Sequence, residues 1–160
     1  MKKNLLLMLF FASTVATYSQ KSDAELEAMI NLLGVQKKEA VAKLVAIPAA
    51  DTEVFWKIYD EYQLENKKTA VERMKLYEKT AMSYSNLNTA LAESLAMDYF
   101  KNRKDQEETL ETYYKKIKKA TNATLAFQFY QSEVYLLTLV RAQIMQQIPT
   151  YGQLVQMNKK

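Results

Sequence analysis

The chain contains no cysteine and no histidine among its 160 residues, and these two absences exclude much of protein chemistry. Without cysteine there is no disulfide and no thiolate nucleophile, so the fold depends on packing alone. Without either residue, Ser-His-Asp and Cys-His nucleophile systems, the usual zinc sites, His-ligated haem and the Glu-x-x-His ligand pairs of di-iron bundles are excluded. We therefore expect a protein that is not an enzyme and that binds no cofactor or metal.

Glycine and proline are also scarce, with two of each. Tight turns between strands need these residues, so their scarcity favours long helices. The capping box "SDAE" (residues 22–25) predicts the start of a first helix, and Pro48 is expected to end it near Ile47. The apolar residues of this helix share one face; they are Leu26, Met29, Ile30 and Leu33.

Three further helices follow in the sequence pattern. The second is predicted to begin at Asp51 or Thr52 and to run to about Met82. The polar stretches at residues 83–88 and 120–124 separate it from a third helix, from Thr89 to Lys119, and from a fourth that stops before Pro149. Short links make neighbouring helices antiparallel. The predicted fold class is an all-α antiparallel bundle or hairpin cradle of about four helices, two of them long. A single domain covers residues 20–149, and residues 150–160 form a flexible tail.

The N-terminus has the layout of a secretory signal peptide. Lys2 and Lys3 supply a basic region, an apolar run follows over residues 5–11, and small polar residues precede Gln20. The apolar run is shorter than the roughly 20 residues that a membrane-spanning helix needs. Residues 1–19 are therefore the predicted signal peptide, with cleavage before Gln20 or, alternatively, after Ala16. The protein is predicted to be periplasmic or secreted, in a bacterium.

The charge balance gives no reason to expect a nucleic-acid partner. The full chain has 22 basic and 18 acidic residues and a net charge of +4. Cleavage lowers the net charge to +2, because the signal peptide contains Lys2 and Lys3 and no acidic residue. A chain this close to neutral lacks the strongly basic surface that binds phosphate backbones.

The stretch "FWKIYDEY" (residues 55–62) concentrates aromatic side chains within two helical turns. At about 100° per residue, Phe55, Tyr59 and Tyr62 fall on one stripe, with Trp56 at its edge. One interpretation is a core stripe whose tyrosine hydroxyls reach polar partners. The other is a binding face to which Trp56 contributes. The pattern favours the core for Phe55 and leaves Trp56 open.

Polar residues interrupt the apolar stripes of three helices at similar positions along the axis of the predicted bundle. Asn66 interrupts the stripe of the second helix, Gln106 that of the third and Glu133 that of the fourth. We expect them to form a polar layer in which Arg73 or Arg103 is the cation for Glu133. If it is buried, such a layer sets the register of the helices at a cost in stability. If the helices splay apart, the same residues line a curved cradle that faces water.

Three stretches carry a resemblance to a known group. They are "FWKIYDEY" (residues 55–62), "YYKKIKKA" (residues 113–120) and "FQFYQSEVYLLTLVRAQIMQQIP" (residues 127–149). With them the chain resembles the Spy/CpxP-type periplasmic helical proteins, and more closely their uncharacterised exported relatives. The LTxxQ signature of Spy and CpxP is replaced here by "IPAADTE" and "ATNATLA", so the resemblance is distant. It implies a small envelope protein of helical hairpins, with a client-binding cradle or a stress-signalling adaptor as its function.

These patterns predict an exported, non-enzymatic helical binding protein, either chaperone-like or an envelope-stress adaptor. The alternative is a structural or assembly subunit whose apolar face is permanently covered by a protein partner. The expected partner is a protein, an unfolded client or a second copy of the chain in a homodimer. No nucleic acid and no integral membrane segment after cleavage are expected. The candidate binding residues are Trp56, Tyr59, Tyr62, Arg73, Arg103 and Tyr130.

Overall fold

The computed structural model describes residues 36–146 and 148–157 of the chain. Its helices are α1 over residues 36–44, α2 over Thr52–Ser83, α3 over Thr89–Ala120, α4 over Ala123–Met145 and α5 over Tyr151–Met157. Short 3-10 turns, Ala49–Asp51 and Tyr84–Asn86, stand before and after α2. The predicted signal peptide and the predicted start of the first helix lie outside the described residues.

Local sequence signals set the ends of the helices. Pro48 stands between α1 and α2, where its ring prevents a continuous helix. The Asn88 side chain accepts a 3.0 Å hydrogen bond from the Leu91 N–H and caps α3. Asn122 caps α4 in the same way, accepting from the Leu125 N–H at 2.9 Å. The predicted ends of the second and third helices are confirmed by α2 and α3, each of which runs a single residue further at its C-terminus.

The segment predicted to be a flexible tail contains a helix that the sequence analysis missed. Tyr151–Met157 form α5, and none of these residues is fully buried. The Thr150 N–H donates to the Gln153 Oε1 at 2.8 Å, while the Gln153 N–H donates to the Thr150 Oγ1 at 3.3 Å. This reciprocal pair is a capping box, formed by the sequence "TYGQ".

The helices pack as the short links dictate. α3 packs against α2 and against α4 along their lengths. α2 and α4 meet at the core end, where Phe129 packs against Tyr59 and Tyr62. Because each link reverses the chain, α3 is antiparallel to both neighbours and α4 runs in the same direction as α2. The all-α fold class is confirmed, with two antiparallel helices of 32 residues and no strand within the described ranges.

The main core lies at one end of the molecule, where α1, the first half of α2, the last half of α3 and the first half of α4 meet. Its buried members are Val41, Val45, Phe55, Tyr59, Tyr62, Leu110, Tyr113, Ile117, Leu125, Ala126 and Phe129. The other end of the α2–α3 hairpin has three buried apolar residues, Leu76, Tyr77 and Leu95. The main core therefore holds the helices together next to the predicted polar layer.

Candidate functional site

A fully buried carboxylate lies beside the main core. Glu133 of α4 has no exposed surface, and its oxygens accept three hydrogen bonds from two other helices. Tyr59 Oη donates to Oε1 at 3.0 Å, Tyr62 Oη donates to Oε2 at 2.6 Å, and Lys37 Nζ donates to Oε2 at 2.8 Å. A buried charge needs both a counter-ion and hydrogen bonds, and this arrangement supplies them. We call these four residues the glutamate cluster.

The two tyrosines of the glutamate cluster are held in their neutral form. Burial raises the pKa of the Tyr59 hydroxyl, and the nearby charge of Glu133 and its hydrogen bond raise it further. The pKa of Tyr62 is raised for the same reasons in the same order. A phenol that stays protonated is a permanent hydrogen-bond donor, so both tyrosines hold the Glu133 carboxylate in place.

The predicted cation for Glu133 was wrong. Lys37 of α1 makes the ion pair, and its side chain is itself almost fully buried. Arg103 is exposed, because the buried residue at that height of α3 is Asn102, which donates to the Thr69 carbonyl oxygen at 3.0 Å. Arg73 lies on the buried side of α2 but turns toward α3 rather than toward Glu133.

A second polar cluster forms around Gln106 of α3. Its Oε1 accepts hydrogen bonds from Arg73 of α2 at 2.7 Å and from Arg141 of α4 at 2.9 Å. One amide oxygen thus joins three helices. Burial lowers the pKa of the Arg73 guanidinium; Tyr77 opposes this in part, and the charge of Arg141 adds a smaller lowering effect. We call Gln106, Arg73 and Arg141 the arginine cluster.

The polar layer is buried, as one of the two interpretations of the sequence predicted. Asn66, Gln106 and Glu133 are each at most 6% exposed. They do not form one network, however, because Glu133 belongs to the glutamate cluster and Gln106 to the arginine cluster. Within the described residues, two buried side-chain atoms lack a hydrogen-bond partner, the Asn66 Oδ1 and the Gln106 Nε2. The layer therefore fixes the relative heights of the helices and is incompletely satisfied.

The aromatic stretch is mostly core. Tyr59 and Tyr62 are fully buried with Phe55, so the structure places them in the core and not on a binding surface. Phe129 of α4 packs against both tyrosines, with ring centroids 6.2 and 5.2 Å away. Trp56 is half-buried, and its ring lies 5.1 Å from that of Phe55 and 5.4 Å from that of Tyr59 in edge contacts. Trp56 thus supports the core from its rim.

Several large apolar side chains are exposed on α4, and only Tyr130 among them was a predicted site residue. Phe127, Tyr130 and Val134 are 55%, 39% and 36% exposed and follow one another at spacings of three and four residues. They therefore share one face of the helix, which we call the outer stripe. Tyr130 also meets Tyr114 of α3, with ring centroids 6.5 Å apart. The composition of α4 could have indicated this surface, because only two of its 23 residues are charged.

Two depressions on the described part of the chain are open to solvent and do not enclose a small ligand. Their volumes are about 290 Å³ beside Glu65 and Asp105 and about 510 Å³ beside Met145 and Met157. Among residues 36–146 and 148–157, no acidic side chains cluster in a way that would hold a metal ion. Within the same ranges, none of the helices combines the length and apolar character that a bilayer crossing requires.

Comparison of the chain with known protein families, with curated proteins and with solved structures found no match. The resemblance to Spy/CpxP-type proteins therefore stays a prediction. The function has to be inferred from the geometry of the described residues.

Proposed function

We propose that the chain is an exported, non-enzymatic helical binding protein that holds an unfolded client or a signalling partner against apolar helix faces. The outer stripe of α4 is the observation that supports this. Three large apolar side chains, Phe127, Tyr130 and Val134, lie together on one helix face with 36–55% of their surface exposed. Contiguous apolar surface of this kind is typical of protein interaction sites.

The outer stripe suits clients of variable sequence. Tyrosine and phenylalanine contribute a large apolar area with few rotatable bonds, so they bind without a large loss of conformational entropy. Arg103 is exposed on α3, the helix against which α4 packs, and a charge there can steer an approaching partner. The binding surface that we propose contains Tyr130 and Arg103 from the sequence prediction. It excludes the buried Tyr59 and Tyr62 and the half-buried Arg73, which bonds to Gln106.

The second candidate function is a structural or assembly subunit whose partner covers the outer stripe permanently. The same exposed side chains favour it, because obligate interfaces are apolar and resemble a divided core. The two candidates differ in the behaviour of the isolated protein. A chaperone stays soluble alone, whereas an obligate subunit with an uncovered apolar face self-associates on its own. A homodimer through this face is a specific form of the second candidate.

The decisive experiment is light scattering from a denatured model client that refolds with and without the purified protein. We expect the protein to suppress aggregation at near-stoichiometric ratio. The double variant Phe127→Ser with Val134→Ser should weaken suppression at least several-fold, because each buried apolar side chain contributes about 1.5–3 kcal/mol to such a contact.

The matched control is Leu64→Ser on α2. Leu64 is 70% exposed and lies on the side of α2 opposite the core, so this change removes an even more exposed apolar side chain elsewhere. Leu64→Ser should leave the suppression of aggregation unchanged. No suppression by a folded, monodisperse protein would overturn the chaperone proposal. Equal loss in the variant and the control would show that the outer stripe is not the binding surface.

A further inference from the structure

The arginine cluster carries positive charge that the described residues do not neutralise. Arg73 Nη1 and Arg141 Nη2 donate to the same Gln106 Oε1, at 2.7 and 2.9 Å, so two like charges lie side by side. Within the described residues, neither arginine forms an ion pair with a carboxylate. In the glutamate cluster, by contrast, Lys37 is paired with Glu133.

The arginine cluster is also short of hydrogen-bond acceptors. A guanidinium group has five N–H donors, and in the described part of the chain Arg73 and Arg141 each make one hydrogen bond. The Gln106 Nε2 is a further donor without an acceptor, on a residue that is 2% exposed. A carboxylate would supply both the negative charge and the acceptors, and it matches the planar fork of an arginine.

Arg141 connects the arginine cluster to the outer stripe. It follows Val134 by seven residues, which is two helical turns, so it lies on the same face of α4. Arg141 is half-buried, and part of its side chain therefore reaches the surface. The rise along the helix from Val134 to Arg141 is about 10 Å. An extended peptide covers this distance in about three residues.

A second cation lies near Arg141 on the surface. Arg103 is exposed and precedes Gln106 by three residues on α3, so it shares the side of that helix from which Gln106 contacts α4. The exposed Glu107 borders the same side and, among the described residues, pairs with neither Arg103 nor Arg141. Two arginines and one carboxylate therefore surround the end of the outer stripe, and the half-buried Arg73 adds a third positive charge.

We propose that Arg141, supported by Arg73 and Arg103, binds a carboxylate of the client segment that lies on the outer stripe. The segment is then extended, with an aspartate or glutamate about three residues from its apolar part. The carboxylate belongs to a ligand with an apolar part, because Arg141 continues the apolar face of Val134. This inference rests on the proposed function, since the outer stripe holds the apolar part of the same segment. It adds a preference for negative charge that the proposed function does not require.

Fluorescence anisotropy with two labelled synthetic peptides tests the preference. Both peptides have about ten residues and the same central apolar block, and they differ only at one position on each side of it. These two positions are glutamate in one peptide and glutamine in the other, so either direction of binding is covered. We expect the glutamate peptide to bind about tenfold more tightly, because an arginine–carboxylate pair makes charge-assisted hydrogen bonds. The difference should shrink at high salt.

The variant Arg141→Met should abolish the preference, so that both peptides bind with the affinity of the glutamine peptide. The matched control is Lys104→Met, which also removes one positive charge. Lys104 is exposed and precedes Gln106 by two residues, so it lies on nearly the opposite side of α3. The control should keep the preference. A purely structural role of Arg141 would weaken the binding of both peptides alike and leave the ratio of their affinities unchanged.

The variant Gln106→Glu tests the site while both arginines stay in place. It puts a carboxylate of the chain itself between the two guanidinium groups, where it competes with the carboxylate of the peptide. We expect most of the preference for the glutamate peptide to be lost, while the glutamine peptide binds as before. This variant keeps the volume of the Gln106 side chain, so it guards against an Arg141→Met variant that folds poorly.

The other outcomes overturn the inference. Equal binding of the two peptides to the unchanged protein would do so and would leave the proposed function intact. A preference that survives both Arg141→Met and Gln106→Glu would show that the carboxylate binds elsewhere. A preference that Lys104→Met removes as completely as Arg141→Met would show a general effect of net charge. If neither peptide binds, the proposed function fails, and the assignment of this site fails with it.

Discussion

Tyr62 of α2 donates a 2.6 Å hydrogen bond to Glu133 of α4, although the two residues stand 71 positions apart in the sequence. With Tyr59 and Lys37, this bond joins α1, α2 and α4 at one carboxylate. A slip of any of these helices by one turn would bury the charge of Glu133 without its partners, at a cost of several kcal/mol. The glutamate cluster therefore specifies one register.

Replacing Lys37 by methionine should destabilise the protein strongly. The change keeps most of the side-chain volume but leaves the buried Glu133 carboxylate without its cation, which costs about 3 kcal/mol. The control is Lys38→Met, which removes an exposed ion pair with Asp60 and should cost less than about 1 kcal/mol. Urea unfolding measures both. Equal losses in the two variants would show that Glu133 does not depend on Lys37.

Stability should fall above about pH 10 because of the two buried tyrosines. In the unfolded chain a tyrosine ionises near pH 10, whereas burial and Glu133 hold the pKa values of Tyr59 and Tyr62 above that in the folded protein. Above pH 10 the unfolded state binds fewer protons than the folded state, so stability is complete below this pH and is lost as pH rises. The loss is about 1.4 kcal/mol per pH unit for each tyrosine.

The variant Tyr62→Phe separates this effect from other alkaline titrations. At pH 7 it should be less stable by about 2 kcal/mol, because it loses a hydrogen bond to a charged group. Between pH 10 and 11 its stability should fall less steeply than that of the unchanged protein. Chemical denaturation at several pH values gives both quantities, and parallel pH curves would contradict a raised pKa for Tyr62.

The arginine cluster predicts a stabilising change. Gln106 offers one oxygen to two guanidinium groups, while its Nε2 is buried without an acceptor. Gln106→Glu replaces the unpaired donor with a second acceptor and turns both hydrogen bonds from the guanidinium groups into ion pairs, so we expect a gain of about 1 kcal/mol at pH 7. Arg73 and Arg141 lower the pKa of the new carboxyl, so the gain is present at neutral pH and is lost as pH falls through that pKa.

Thermal unfolding at pH 7 and in acid tests this gain. The comparison variant Gln106→Leu removes both hydrogen bonds and should be destabilised at every pH. If Gln106→Glu also destabilises at pH 7, the desolvation of the new charge outweighs its pairing with the two arginines.

Trp56 should matter for stability and not for client binding. Its ring supports Phe55 and Tyr59 from the rim of the core, with Lys38 Nζ 5.3 Å from its centroid. Trp56→Ala should cost about 2 kcal/mol, less than for a fully buried tryptophan. At a temperature where the variant is folded, aggregation suppression should be unchanged. A loss of suppression there would place Trp56 on the binding surface.

The sequence predicted the helices well because their ends carry local signals. Pro48, Asn88 and Asn122 act within one turn of their own positions, so no tertiary information is needed to read them. The polar layer was predicted for a similar reason, although the sequence left open whether the layer is buried or faces water. Helical periodicity places Asn66 and Glu133 on the same stripes as core residues.

The partners within the layer could not be predicted in the same way. Periodicity gives the face of a residue but not the height of a neighbouring helix, so Lys37 was missed as the cation for Glu133. On α3, the predicted stripe was off by one residue, because Asn102 is buried whereas Arg103 is exposed. Arg141 was missed because its role depends on Gln106, which lies 35 positions away.

The uneven distribution of the core makes the molecule unequal in its resistance to local unfolding. At the core end, α1, α2 and α4 are joined at Glu133, and α3 packs into the same core, so we expect this end to open as one unit. At the other end, α2 and α3 are held by Leu76, Tyr77 and Leu95 and by few other buried side chains. The tip of this hairpin can therefore separate at a small cost in free energy while the core end stays closed. The fold behaves as two cooperative units along one pair of helices, and only the unit at the core end carries the outer stripe.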